Sequence, residues 1–269
     1  MHLAVVTGDV HHSATGLFKK KQEEVEIITL REYLDVLREY NSKATIFLTG
    51  KLAKDCRDSL KWLQRLSFIE IGGHGYNLYG DVIYRSYYLI RKRMFKFFPE
   101  VKIPGLIRQM YYEIDLKRMV NAFKAVGIKQ ITVLRPHSYV DDPKFYEILP
   151  KYGIRIVLNK GTNLHKTCKE PVVKRAGILT IIYQSFEDDF IVNAFPNKKA
   201  LNYCSKYILA RLDLHLKNGF DVVLQLHPIC MKLLDNYATM RLILERIINH
   251  DYKFLLLTEY VKHRTQLRK

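Results

Sequence analysis

The chain has 269 residues, 48% hydrophobic and 26% charged, the balance of a globular protein able to bury its own core. This excludes intrinsic disorder and collagen-like repeats, and no run reaches the about 18 apolar residues of a membrane span. The formal net charge of +17 points to a phosphate-bearing ligand, a polyanion or an acidic membrane face, and is silent on fold.

Short apolar runs rich in Val and Ile recur along the chain, too short for stable helices and read as strands. They are Leu3 to Thr7, Ala44 to Leu48, Phe68 to Ile71, Ile131 to Leu134, Ile154 to Leu158, Ile178 to Tyr183, Val222 to Leu226 and Phe254 to Leu257. Helical patterns lie between most of them. Thr29 and Glu32 have capping-box spacing, with Leu30, Tyr33, Leu34 and Leu37 on one face. Leu60, Leu63 and Leu66 repeat the stripe. Asp115 is placed to cap a helix carrying Met119, Val120, Phe123 and Val126 that stops at Gly127. Asp142-Pro143 opens another, ending near Gly153 and shortened by Pro150. Asn197 opens a long helix to Gly219, and Asn236 to His250 forms one more. About eight strands alternating with helices predict a parallel sheet. At this length the expected form is a single-domain distorted β/α barrel of seven or eight units over residues 1–269. An open doubly wound sheet is the alternative.

Cys56, Cys168, Cys204 and Cys230 match neither a C-x-x-C pair nor a zinc ribbon, and read as buried reduced thiols. The start, Met1 to Asp9, shows no basic leader or signal-length apolar stretch. The expectation is therefore a cytoplasmic protein, with peripheral contact at the inner membrane face as the extension its charge suggests. Residues 84–112 interleave Arg85, Arg91, Lys92, Arg93, Lys96, Lys102 and Arg108 with aromatics. This segment reads as an outer helix whose basic stems cover apolar surface. The alternative is a docking surface for an anionic membrane or a polyanion. No nucleic-acid-binding motif accompanies it, so nucleic acid is not an expected partner.

In β/α barrels reactive groups stand on the loops after the strands. Here those positions hold Asp9, His11 and His12, then His74, then Arg135 with His137, then His227. One acid, several imidazoles and a guanidinium suffice for metal-assisted hydrolysis. A divalent metal on carboxylate and imidazole activates water and polarises a carbonyl. A carboxylate takes a proton, a histidine protonates the leaving amine, and an arginine holds the carboxylate ionised.

The order of these motifs resembles the polysaccharide deacetylase superfamily, carbohydrate esterase family 4. Ala44-Thr45-Ile46-Phe47, Gly50, Ala53, Glu70-Ile71 and His74 follow its central motifs. Thr7 to Asp9 resembles its Thr-Phe-Asp-Asp-Gly, Arg135-Pro136 with Tyr139 its Arg-x-Pro-Tyr, and Leu226-His227 the end of its last strand. The resemblance implies metal-dependent removal of N-acetyl groups from amino sugars. It implies Asp9 as catalytic base, Arg135 as the residue tethering it, His74 as a metal ligand and His227 as catalytic acid. Two positions depart. Val10 stands where the family has a metal-binding aspartate, and Leu78 where it has a second histidine. His11 and His12 are the substitutes at hand, with Tyr79 and His137 as further candidates. The expected centre is thus rebuilt from Asp9, His11, His12 and His74 around a divalent ion, zinc first, with cobalt, nickel or manganese as alternatives. A carbohydrate or sugar-phosphate substrate is expected. The alternative is a silent relative that binds a sugar, phosphate or anionic membrane without turnover.

Overall fold

The computed structural model describes residues 2–11, 22–76, 105–136, 142–159, 171–182, 185, 188, 191, 194 and 197–266. Its strands are β1 (Leu3–Val10), β2 (Ala44–Leu48), β3 (Ile69–Gly73), β4 (Val133–Leu134), β5 (Ile156–Leu158), β6 (Val172–Arg175), β7 (Ile178–Ile181), β8 (Val222–Gln225) and β9 (Lys253–Phe254). They form one sheet in the order β6-β7-β5-β4-β3-β2-β1-β8, with β9 paired to the start of β1. Every pairing is parallel except β6 with β7. Beyond β7 the chain reaches the far edge. Ser185 donates its backbone N–H to the Val223 carbonyl at 2.8 Å, and its Oγ accepts from Val223 N–H at 3.0 Å. The stretch after β7 is thus tied to β8 at Ser185, and the fold is a distorted α/β barrel.

Helices pack outside this sheet: α1 (Gln22–Glu39), α2 (Gly50–Asp55), α3 (Arg57–Leu60), α4 (Gly105–Ala125), α5 (Pro143–Ile148), α6 (Lys198–Lys217), α7 (Pro228–Asp235), α8 (Ala238–Asn249) and α9 (Leu257–Gln266). The outer core joins Ala4, Val6 and Val10 of β1 to Ile27, Leu30, Leu34 and Leu37 of α1 and to Ile229 and Met231 of α7. Each such aliphatic side chain contributes about 1.5–3 kcal/mol on burial. The barrel interior is a separate apolar cluster of Leu3, Val5, Phe47, Val133, Leu158 and Val223, closed below by Leu257, Tyr260 and Val261 of α9. No helix among the described residues is long and apolar enough to cross a membrane.

Several element boundaries differ from the sequence reading. Thr29 and Asp115 do not cap helices. Thr29 lies inside α1, where its hydroxyl donates to the Glu26 carbonyl at 3.1 Å. Asp115 lies inside α4 and accepts from Tyr76 N–H at 3.1 Å, so a tertiary contact takes the carboxylate that a cap would have used. The helix expected over 236–250 is α8 (Ala238–Asn249), separated by Asn236 and Tyr237 at positive φ (54° and 70°) from α7, which was not expected. Strand β6 was missed. It forms a hairpin with β7 through Ala176 and Gly177, both at positive φ. Asp142 and Asn197 do cap α5 and α6 as expected. Cys204 and Cys230 are buried and Cys56 is partly buried, while Cys168 lies outside the described residues. Of the basic aromatic segment, residues 84–104 lie outside the described part and 105–112 begin α4.

Candidate active site

Strand alternation builds the site. Successive residues point to opposite faces, so Leu3 and Val5 face the barrel interior and Thr7, Asp9 and His11 continue that face upward. Val10 points the other way, into the apolar layer beneath the helices. The same period carries Val133 to Arg135, and Val223 to Gln225 and His227. Apolar residues fill the floor, and polar ones gather at the carboxyl ends of β1, β3, β4 and β8.

Arg135 and Asp9 form a fully buried pair, each 1% exposed. Arg135 Nη1 donates to Asp9 Oδ1, and Nη2 donates to Thr7 Oγ1, whose own proton goes to the Leu224 carbonyl. The guanidinium lies 4.6 Å from the centre of the Phe47 ring. Gly72 makes room for that ring, since a Cβ there would meet Phe47 Cδ1 at 2.5 Å. The second Asp9 oxygen, Oδ2, accepts from Gln225 Nε2 at 3.0 Å. His74 Nε2 and His227 Nε2 lie 3.6 and 3.7 Å from it. Burial raises the Asp9 carboxyl, but the Arg135 guanidinium foremost, with the polar rings of His74, His227 and His11, outweighs it and holds the group well below the usual carboxylate range.

His74 follows the Gly72-Gly73 end of β3. Its backbone N–H donates to Leu48 O at 2.9 Å, and its Nδ1–H donates to the Arg135 carbonyl at 2.8 Å. A carbonyl only accepts, so the proton sits on Nδ1 and the Nε2 lone pair faces Asp9. The His11 ring meets His74 edge-on at 4.8 Å and stacks on His227 at 5.3 Å. Burial is the main cause that lowers both His11 and His74 below the ordinary imidazole value, which keeps them neutral, the form in which imidazole binds a metal. Asp9, His11 and His74 each offer a ligand atom within 4.8 Å of the others. One carboxylate and two neutral imidazoles could hold a divalent transition metal.

His227 stands opposite, at the start of α7. Asp188 grips it twice, accepting from its backbone N–H at 2.7 Å (Oδ2) and from Nδ1–H at 2.5 Å (Oδ1). The fixed tautomer leaves Nε2 facing the site.

Asp9, His11, His74, Arg135 and His227 are therefore brought together. His12, Leu78, Tyr79, His137 and Tyr139 lie outside the described residues. Three contributors were missed in the sequence. Thr7 and Gln225 could have been found, each two residues from a chosen site residue on the same strand face. Asp188 had no such signal, since the acidic sequence around it shows no alternation.

Residues 29–157 match the family model for polysaccharide deacetylase. A search of curated proteins finds no match. Among solved structures, the chain is similar to a Mycobacterium smegmatis protein assigned to the polysaccharide deacetylases, at TM-score 0.62 and 16% identity over 98% of this chain and 91% of that one. It is similar to a family 4 carbohydrate esterase from Streptomyces lividans, solved with acetate, at TM-score 0.52 and 13% identity over 94% of this chain and 91% of that one. It is also similar to a carbohydrate esterase family 4 pseudoenzyme from Bacillus anthracis, at TM-score 0.56 and 13% identity, covering 96% of this chain but only 65% of that one. At these identities the likeness is one of fold, which agrees with the family model and with the order of the motifs. Residues 29–157 thus match the polysaccharide deacetylase family, and the fold of the whole chain is similar to that of solved family members.

Proposed function

We propose that this protein is a metal-dependent hydrolase that removes an N-acyl group, N-acetyl in the first instance, from an amino sugar. The observation that carries the reading is the convergence of Asp9, His74 and His227 on one carboxylate oxygen, with both Nε2 atoms within 3.7 Å of Asp9 Oδ2. Asp9, His11 and His74 would hold the ion, with zinc favoured by the nitrogen–oxygen donor set and cobalt, nickel or manganese as alternatives. When bound, the ion supplies a Lewis acid for the acyl carbonyl and makes water a better nucleophile.

The residues then divide the proton work. Asp9 is a poor base here, because Arg135 and Gln225 occupy both of its oxygens and its basicity is depressed. His227 is the better proton carrier. Its Nε2 takes a proton from the attacking water and returns it to the leaving amine nitrogen. Asp188 orients the ring and stabilises the imidazolium formed in between. Arg135 keeps Asp9 ionised, so that the site retains one negative charge among its three imidazoles.

The net charge of +17 supports a substrate that carries phosphate, such as a nucleotide-linked or lipid-linked sugar met inside the cell. A second reading, a silent binder of sugar or phosphate, is favoured by the full hydrogen bonding of Asp9 and by Val10 in place of a carboxylate. Acetate release separates the two. Zinc-loaded protein, given N-acetylated sugar phosphates, is expected to release acetate in a reaction abolished by chelation and by His227→Ala. Release that survives His227→Ala, or no release with any of the four metals, contradicts the hydrolase reading.

A further inference from the structure

Two buried groups near His227 take no part in the chemistry above. Cys230 lies three residues after His227 on the first turn of α7, on the same helix face. Asp188, His227 and Cys230 each offer a donor atom within 4.8 Å of the others, and all three are buried. Glu26 projects from α1, which packs against α7. It is 1% exposed, and neither carboxyl oxygen has a hydrogen-bond partner among the described residues. Leaving a buried polar group unsatisfied costs about 1–3 kcal/mol, so Glu26 is anomalous unless something cationic completes its surroundings.

We propose that Asp188, His227 and Cys230 form a second metal site, separate from Asp9–His11–His74, that takes a thiophilic divalent cation, with Glu26 as the outer carboxylate balancing its charge. Thiolate with imidazole and carboxylate selects zinc or cadmium over the hard ions calcium and magnesium. Binding releases one proton to solvent, from the Cys230 thiol, and moves the His227 proton from Nδ1 to Nε2, so that the Nδ1 and thiolate lone pairs go to the ion. Asp188 then exchanges its bond to Nδ1–H for one to the cation. Occupancy locks the ring through Nδ1 and withdraws the Asp188 support, so an excess of such a metal inhibits the hydrolase. Only this last consequence rests on the function proposed above.

The test is cadmium titration of the chelator-stripped, full-length protein. We expect a sulfur-to-cadmium charge-transfer band in the ultraviolet that saturates at one equivalent. It should vanish in Cys230→Ser and Cys230→Ala and persist in Cys56→Ser and in His74→Ala. Glu26→Gln should keep the band but weaken cadmium affinity roughly ten- to a hundredfold, as loss of an outer-shell partner does. Absence of the band in the wild type, or its survival in both Cys230 variants, overturns the proposal. Circular dichroism checks folding. Should the Cys230 variants not fold, Asp188→Asn decides, and an unchanged cadmium affinity there is equally fatal. The two proposals fail separately, since a band without zinc binding through His74 removes the hydrolase and keeps this site, and the reverse pattern removes this site alone.

Discussion

Breaking the Arg135–Asp9 pair should cost far more than breaking a surface ion pair, and removing both charges should cost less than the two single losses combined. Arg135→Met keeps a long apolar stem over Phe47 but leaves the Asp9 carboxylate at 1% exposure without its counterion. Removing one partner of a buried pair costs about 3–5 kcal/mol, whereas an exposed pair is worth about 0–1 kcal/mol. In a domain of this size each kcal/mol moves Tm by about 2 °C, so a fall of roughly 6–10 °C is expected. Asp9→Asn strands the guanidinium and should cost a similar amount. The double variant buries no unpaired charge, and we expect a coupling on the order of 2 kcal/mol in its favour. The assay is urea denaturation of metal-free protein followed by circular dichroism. Acid adds a second reading. The Asp9 carboxyl is held below its ordinary value of 3.8 in the fold. Its stabilising contribution is therefore complete above that value and lost as pH falls below it toward the folded value. That acid-sensitive contribution should be missing from Arg135→Met. Additivity of the single variants within about 0.5 kcal/mol would refute the claim that these two charges face each other without water.

Asp188→Asn should lower kcat by about 10²- to 10⁴-fold with KM nearly unchanged, because it disturbs the proton carrier rather than substrate binding; a loss below tenfold on steady-state assay speaks against His227 as that carrier. Val10→Asp should not rebuild a carboxylate ligand, since Val10 is fully buried in the outer apolar core. It should destabilise the fold by several kcal/mol, and a stable variant with tighter zinc binding by calorimetry would show the strand facing the other way. Burial pushes the Glu26 carboxyl from 4.5 up to about 8, against a smaller opposing effect of His227. Its contribution is fully present below about 4.5 and lost as pH rises through about 8, so metal-free Glu26→Gln should gain on the wild type by on the order of a few kcal/mol from pH 5 to 9. Parallel stability curves across that range would show Glu26 to be ordinarily solvated.

Much of the site was legible in the sequence because strands write their geometry at period two. Asp9 and His11 fall on one face and Val10 on the other, so the position that departs from the family pattern is also the one that could not point into the barrel. His74, Arg135 and His227 were legible as polar residues ending apolar runs. Asp188 was not, because the sequence around it shows no alternation to mark a face and its pairing with His227 spans 39 residues of sequence. Thr29 and Asp115 misled for the opposite reason. Their capping preferences are real but are local, and the helices around them are fixed by tertiary burial of Leu30, Leu34 and Leu37 on one side and of Leu116, Met119 and Phe123 on the other. The start of α8 near Asn236 was legible, whereas the short helix α7 just before it was not.

Anomalous diffraction at the zinc edge, from crystals grown with zinc, tests the central claim most directly. We expect a strong peak within bonding distance of Asp9, His11 and His74 together, and its loss in His11→Ala. Crystals that show no peak there, or a peak that His11→Ala leaves intact, would mean that the side chains of β1 and β3 do not compose a metal centre.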